Sequence, residues 1–169
     1  MNPRIAIISQ ARFCSTRLPG KVLMKIGDRT LLEYHLERLS ISGFPIIVAT
    51  SNTKECDPIV DICREFGVHV YRGSESDVLE RYYEAAKSFE VDIIIRVTSD
   101  CPLIDGSILK KEVDLYLNTG DRRTLLTMDD ETYPVGVGGE VFSVEILNKR
   151  IIISCCFKFH NGLPFRIVT

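Results

Sequence analysis

The run Ile5-Ala6-Ile7-Ile8 leads into Ser9-Gln10-Ala11-Arg12-Phe13-Cys14-Ser15-Thr16-Arg17-Leu18-Pro19-Gly20-Lys21. A short β-branched run reads as a buried strand, and the small, hydroxyl and basic residues after it read as the loop at its C-terminal end. Open α/β sheets bind ligands at that end. Arg12, Arg17 and Lys21 place three cations within ten residues, beside hydroxyls and backbone N–H groups, with Pro19 and Gly20 fixing the backbone. A lone Arg or Lys is ordinarily a solvated surface side chain. Three together predict an anion site suited to polyphosphate.

Outward from this stretch, strand-like runs recur at Arg4 to Ser9, Pro45 to Thr50, Val68 to Tyr71 and Asp92 to Thr98, separated by segments of helical period. Thr30 with Glu33 three residues on forms a capping box, and Leu32, Leu36 and Leu39 then make an apolar stripe. A second helix is expected from Asn52 or Thr53 to Phe66, closed by Gly67. A third is expected from Ser76 to Phe89 with Val78, Leu79, Tyr82 and Ala86 inward, and a fourth from Asp105 to about Asn118. The β-α-β order, with nearly continuous Ile and Val in the strands, implies a three-layer α/β/α Rossmann-like fold with a mainly parallel sheet. Thr124 to Met128 and Glu140 to Ser143 read as further strands, with a turn-rich connector from Asp129 to Gly139.

The chain has 169 residues and 45% hydrophobic content, enough for one domain with a sizeable core. Its 21 basic and 23 acidic residues give a formal net charge of -2, which argues against nucleic acid or a polybasic membrane contact; the positive charge is local. No apolar stretch approaches the roughly 18 residues of a membrane span, and Met1-Asn2-Pro3-Arg4 runs straight into a strand, so the expectation is a soluble, cytoplasmic protein. Cys14, Cys56, Cys63, Cys101, Cys155 and Cys156 include no C-x-x-C pair, so reduced thiols are expected. His35, His69 and His160 have no metal or relay spacing and read as structural. No Ser-His-Asp or Cys-His signature stands in the chain.

The loop after the first run is neither a Walker P-loop nor a G-x-G-x-x-G fingerprint. Asp100 ends the run Asp92 to Ser99, where a carboxylate either suits Mg²⁺ or shapes the turn before Cys101-Pro102. Asp105 reads as a helix N-cap. Ala11-Arg12-x-x-Ser15-x-Arg17-Leu18-Pro19-Gly20-Lys21, followed by Leu23 and Ile26-Gly27, resembles the signature of cytidylyltransferases that activate acidic sugars, the CMP-sialic acid and CMP-KDO synthetases. Ile47-Val48-Ala49-Thr50-Ser51, Arg72-Gly73-Ser74-Glu75-Ser76-Asp77-Val78-Leu79 and Thr98-Ser99-Asp100-Cys101-Pro102-Leu103-Ile104-Asp105 follow in order. Together they look most like the spore coat polysaccharide biosynthesis protein F branch, over residues 3 to about 148.

The resemblance implies the nucleotide-diphospho-sugar transferase fold over residues 1–150 and a Mg²⁺-dependent transfer of CMP from CTP to an acidic or modified sugar, with release of pyrophosphate, in surface or spore-coat polysaccharide synthesis. It implies that Arg12 and Lys21 hold the triphosphate, that Ala11, Ser15 and Thr16 with nearby amides line the phosphate loop, that Arg17 supports it, and that Asp100 carries the metal. Arg72, Gly73 and Ser74 would border the cytosine, with Ser76 as a helix cap. A homodimer is implied too. The alternatives are a different nucleotidyltransferase or a non-catalytic nucleotide-binding subunit.

The pattern also departs from the family's. Where relatives carry Pro-Asp-Gly-x-Asp-x-Glu, this chain has Pro134-Val135-Gly136-Val137-Gly138-Gly139-Glu140, without either Asp. Metal affinity would then rest on Asp100, phosphate oxygens and Glu140 or Asp129, which argues for impaired activity. Cys14 stands where relatives often have Gly. The chain ends before the family's pattern does, and residues 151–169 read as an atypical tail, truncated or disordered.

Overall fold

A computed structural model describes residues 3–15, 18–128, 133–148 and 165–168. Strand β1 (Ile5–Gln10) is followed by a two-stranded ribbon, β2 (Lys25–Ile26) with β3 (Arg29–Thr30), and by α1 (Leu31–Ser40). Then come β4 (Ile46–Ser51), α2 (Asp57–Glu65), β5 (His69–Gly73), α3 (Val78–Ser88), β6 (Ile93–Thr98) and α4 (Gly106–Thr119). The remainder is β7 (Leu125–Met128), β8 (Glu140–Ser143), α5 (Val144–Asn148) and β9 (Phe165–Val168).

One seven-stranded sheet has the order β5-β4-β1-β6-β8-β7-β9. The first four strands are mutually parallel, with Gln10 beside both Ala49 and Thr98, while β8 and β9 run antiparallel to their neighbours. Alternation along the strands splits the interior into two layers. Ile7, Val48, Ile95 and Val97 face Leu32, Leu36 and Leu39 of α1, Ile59 and Cys63 of α2, and Leu109, Val113 and Tyr116 of α4. Ala6, Ile8, Ile47, Ala49 and Ile94 face Tyr82, Ala85 and Ala86 of α3 and Ile146 and Leu147 of α5. The three-layer α/β/α arrangement is therefore the observed one.

Local chemistry sets the helix starts. Thr30 and Glu33 close the capping box, with the Glu33 amide donating to Thr30 Oγ1 at 3.2 Å and the Thr30 amide to Glu33 Oε2 at 2.5 Å. Asp105 caps α4 through the amides of Ser107 and Ile108. The cap of α3 is Asp77, not Ser76: its carboxylate accepts from the Glu80 amide at 2.8 Å, which moves the helix start to Val78. In α2 the segment from Thr53 begins as a single 3₁₀ turn, Lys54–Cys56, because Pro58 sits in the first turn of the α-helix proper. Of residues 151–169, only Phe165–Val168 are described, as the strand pairing with β7. The described cysteines Cys14, Cys56, Cys63 and Cys101 are free thiols.

Candidate functional site

Because β1, β4, β5 and β6 are parallel, the loops after them meet along one edge of the sheet. The loop after β1 starts at buried Ala11, whose amide donates to the Ala49 carbonyl at 3.1 Å. It is pinched at its neck, where the Phe13 carbonyl accepts from the Ser15 amide at 2.9 Å and the Gly20 amide at 2.8 Å. Gly20 has φ 69°, and a Cβ there would lie 2.9 Å from the Phe13 ring, so this turn requires glycine. The chain then enters a 3₁₀ turn, Lys21–Leu23, anchored in the core by buried Val22. Thr16 and Arg17 lie outside the described residues.

From that turn the Lys21 ammonium reaches the Asp100 carboxylate and forms an ion pair with it. Burial raises the Asp100 carboxyl, but the Lys21 and Thr98 hydrogen bonds and the Lys21 charge outweigh it and hold the group below the usual carboxylate range. Two of the residues assigned to the anion site and the metal thus meet across the crevice.

Beneath Asp100 lies a polar chain that spacing alone did not reveal. Ser9 and Ser99 extend the core-facing alternation of β1 and β6, and with His35 of α1 they are wholly buried. Ser9 Oγ lies 2.8 Å from His35 Nε2 and 2.7 Å from Ser99 Oγ, and His35 Nδ1 lies 3.0 Å from the Cys101 carbonyl oxygen. Burial pushes the His35 pKa down to about 4, against the raising effects of the Cys101 carbonyl and the Asp100 charge. The signal in the sequence was the hydroxyl run Thr98-Ser99 before Asp100, with Ser9 closing a run that is otherwise apolar from Ile5.

Arg12 forms no ion pair with another described residue, and its charge is felt at Cys14 and Arg81. Arg81 is wholly buried in the first turn of α3 and holds the loop after β5 by donating from Nη1 to the Ser74 and Glu75 carbonyls. Arg72 does not offer its guanidinium to the crevice as a free group. Nε donates to the Ser51 carbonyl at 3.2 Å, Nη2 to the Thr53 carbonyl at 2.7 Å and Nη1 to Asp57 Oδ1 at 2.7 Å. It ties the edge strand β5 to the loop after β4. Gly73 and Ser74 stay at the loop's rim, where Ser74 Oγ accepts from the Asp77 amide at 3.1 Å.

The connector carrying Val135 and Gly138 packs beside the Asp100 turn: Val137 accepts from the Asp105 amide at 2.8 Å, and a Cβ on Gly136 would come within 3.0 Å of Cys101 Sγ. Gly139 donates to the buried carboxyl of Glu112 at 3.1 Å and 3.2 Å. Glu140 Oε2 accepts from Arg96 Nη1 at 2.6 Å across the paired strands; Asp129 lies outside the described residues. Among the described residues no group of three or more His, Cys, Asp or Glu gathers to hold a metal by itself. Asp100 is an ionised, partly exposed carboxylate, which fits a hard cation that keeps waters and takes its other ligands from substrate phosphates. No helix among the described residues is long and apolar enough to cross a membrane.

The profile of the cytidylyltransferase family matches residues 5–150. An uncharacterized protein of Methanocaldococcus jannaschii is 42% identical over 148 residues, covering 86% of this chain and 59% of that protein. The spore coat polysaccharide biosynthesis protein SpsF of Bacillus subtilis is 35% identical over 150 residues, covering 85% of this chain and 60% of that protein. A solved cytidylyltransferase of Leptospira borgpetersenii superposes with a TM-score of 0.82 at 40% identity, over 88% of this chain and 63% of the other. The chain thus spans about three fifths of these relatives. A CMP:2-keto-3-deoxy-manno-octonic acid synthetase solved with CTP shares the fold, with a TM-score of 0.64 at 18% identity over 87% of this chain and 77% of the other.

Proposed function

Because the chain belongs to the cytidylyltransferase family, we propose that it transfers CMP from CTP to a hydroxyl of an acidic or modified sugar, in surface or spore-coat polysaccharide synthesis. The observation that carries this reading is the meeting of Lys21 with Asp100 at the strand ends, cation and anion facing each other across one crevice. The sugar oxygen attacks the α-phosphorus, the bond from that phosphorus to the β-phosphate bridge breaks, pyrophosphate leaves, and the hydroxyl proton passes to solvent. No covalent enzyme intermediate is required.

Lys21 and Arg12 neutralise the charge that grows on the leaving pyrophosphate, and preorganised groups of this kind are often the largest catalytic contribution. Ser15, Thr16 and the loop amides line the phosphates, with Arg17 supporting them. Gly73 and Ser74 border the base. Asp100 would hold Mg²⁺, which when bound would supply charge neutralisation at the phosphates and polarisation of the phosphorus. The protein acts in the cytoplasm, as a homodimer.

Val135 and Gly138, where relatives carry carboxylates, favour a second reading: a subunit that binds nucleotide without turning it over. Thermal shift with CTP, UTP, GTP and ATP, each with Mg²⁺, followed by pyrophosphate release with candidate sugars, separates these. Stabilisation by CTP with turnover is expected. Stabilisation by CTP with no turnover supports the second reading, and stabilisation only by another nucleotide overturns both.

A further inference from the structure

We propose that His35 is a positioning residue whose hydrogen-bond chain clamps the Asp100 turn from both sides. The purpose assigned to the clamp rests on the reading of Asp100 as the metal carboxylate.

The chain has one direction. The Cys101 carbonyl only accepts, so His35 Nδ1 carries the ring proton and donates across 3.0 Å. In the neutral ring Nε2 is then an acceptor, and Ser9 donates its hydroxyl proton to it across 2.8 Å. With that proton committed, Ser9 Oγ accepts from the Ser99 hydroxyl at 2.7 Å. Every donor has one target, the condition under which a buried polar network is not a liability. The backbone is held in the same place: the Ser99 amide donates to the Gln10 carbonyl at 3.0 Å, and the Cys101 amide to the Thr98 carbonyl at 3.2 Å.

The two ends of the chain are the two neighbours of Asp100, held by the Ser99 side chain and the Cys101 carbonyl. The middle members sit on β1 and α1, elements whose own packing is apolar. Apolar side chains of like volume would fill this space without the cost of burying three polar groups. What the polar chain adds is a fixed orientation for the turn, and hence for the carboxylate it presents to Lys21.

The test compares Ser9→Ala, His35→Ala and His35→Asn with a control, Ser42→Ala. Ser42 is a buried hydroxyl just beyond α1 that donates to the Leu39 carbonyl at 2.7 Å and shares no hydrogen bond with Ser9, His35 or Ser99. Amide hydrogen exchange by NMR in the folded protein is expected to quicken about tenfold at Ser99 and Cys101 in Ser9→Ala and His35→Ala, on the scale of losing one net hydrogen bond. Amides of β4 should change no more than in the control. His35→Asn, which can still donate to the Cys101 carbonyl, should restore Cys101 more than Ser99.

In the same variants the Mg²⁺ concentration for half-maximal stabilisation by CTP should rise about tenfold, while the KM for CTP at saturating Mg²⁺ stays near the wild-type value. Exchange that quickens uniformly, or not at all, makes the chain ordinary core packing and overturns the proposal. Local quickening with an unchanged Mg²⁺ midpoint overturns it as well. A wild-type protein indifferent to CTP and Mg²⁺ refutes the functional reading instead, and the exchange measurement still decides whether the clamp exists. If His35→Ala does not fold, Ser9→Ala and His35→Asn carry the test.

Discussion

The Lys21 ammonium rests on the Asp100 carboxylate, joining the 3₁₀ turn after the β1 loop to the turn after β6. Side-chain exposures of 28% and 38% keep the pair partly in water, where such ion pairs contribute about 1 kcal/mol or less. A contact that weak is easily exchanged. Triphosphate oxygens can take the ammonium while a divalent cation takes the carboxylate, so each partner shields the other until both ligands arrive.

Replacing Lys21 with Ala therefore has two effects of opposite sign. Pyrophosphate release falls on the order of 10²-fold, the scale of deleting one transition-state donor. Mn²⁺ binding without nucleotide, followed by electron paramagnetic resonance, tightens, because the competing ammonium is gone. Near-normal pyrophosphate release by Lys21→Ala would remove the residue from the mechanism.

The neck of the β1 loop depends on one backbone conformation. Gly20→Ala places a methyl 2.9 Å from the Phe13 ring at φ 69°, and strain of this type costs about 1–3 kcal/mol. Phe13 also supplies the carbonyl that closes the neck, so the loss is expected both in melting temperature and in the stabilisation that CTP confers. Unchanged CTP stabilisation in Gly20→Ala would mean that the loop's shape does not matter to nucleotide.

Arg72→Ala is expected to cost about 1 kcal/mol of stability, since it strips partly exposed acceptors on Ser51, Thr53 and Asp57 of their donor and water takes its place. Discrimination between CTP and UTP should survive the change, because the guanidinium is committed to the fold. A variant of normal stability that no longer distinguishes the two nucleotides would return Arg72 to the base site.

The layers and the crevice were legible because period and capping are local properties. The capping box of Thr30 and Glu33 and the alternating Ile and Val of the strands needed no knowledge of the rest of the chain. Lys21 and Asp100 were legible as chemical types at strand ends, but not as partners, since 79 residues separate them. His35 showed no spacing signal because its partners come from β1, from the residues after β6 and from a backbone carbonyl, which only the folded sheet brings together. The partners of Arg72 were hidden for the same reason: they are the carbonyls of Ser51 and Thr53, at and after the end of β4, and the carboxylate of Asp57 at the start of α2. The cap of α3 shifted from Ser76 to Asp77 because two adjacent residues were both competent and the loop after β5 decided between them.

Two buried groups give the protein opposite responses to pH. The pKa of His35 is lowered to about 4 from 6.5, so the unfolded chain binds the extra proton first, and stability drains away as pH falls from 6.5 towards 4. Glu112 behaves the other way. Burial raises its carboxyl to about 8 from 4.5, against the Gly139 hydrogen bond, so the folded state holds the proton longer and stability drains away as pH rises from 4.5 through 8. Between pH 4.5 and 6.5 the two slopes oppose, leaving a plateau, and each limb outside it carries at most about 1.4 kcal/mol per pH unit for one proton. Glu112→Gln keeps an acceptor for the Gly139 amide but cannot ionise, so its stability relative to wild type should climb as pH rises through the window and level off above about 8. His35→Asn should flatten the acid limb and remove the plateau, so that the alkaline decline begins near pH 4.5. Urea unfolding of the three proteins at half-unit steps from pH 4 to 9 reads both limbs. A stability difference between wild type and Glu112→Gln that does not change with pH would mean that the Glu112 carboxyl titrates in the folded protein as it does in the unfolded chain.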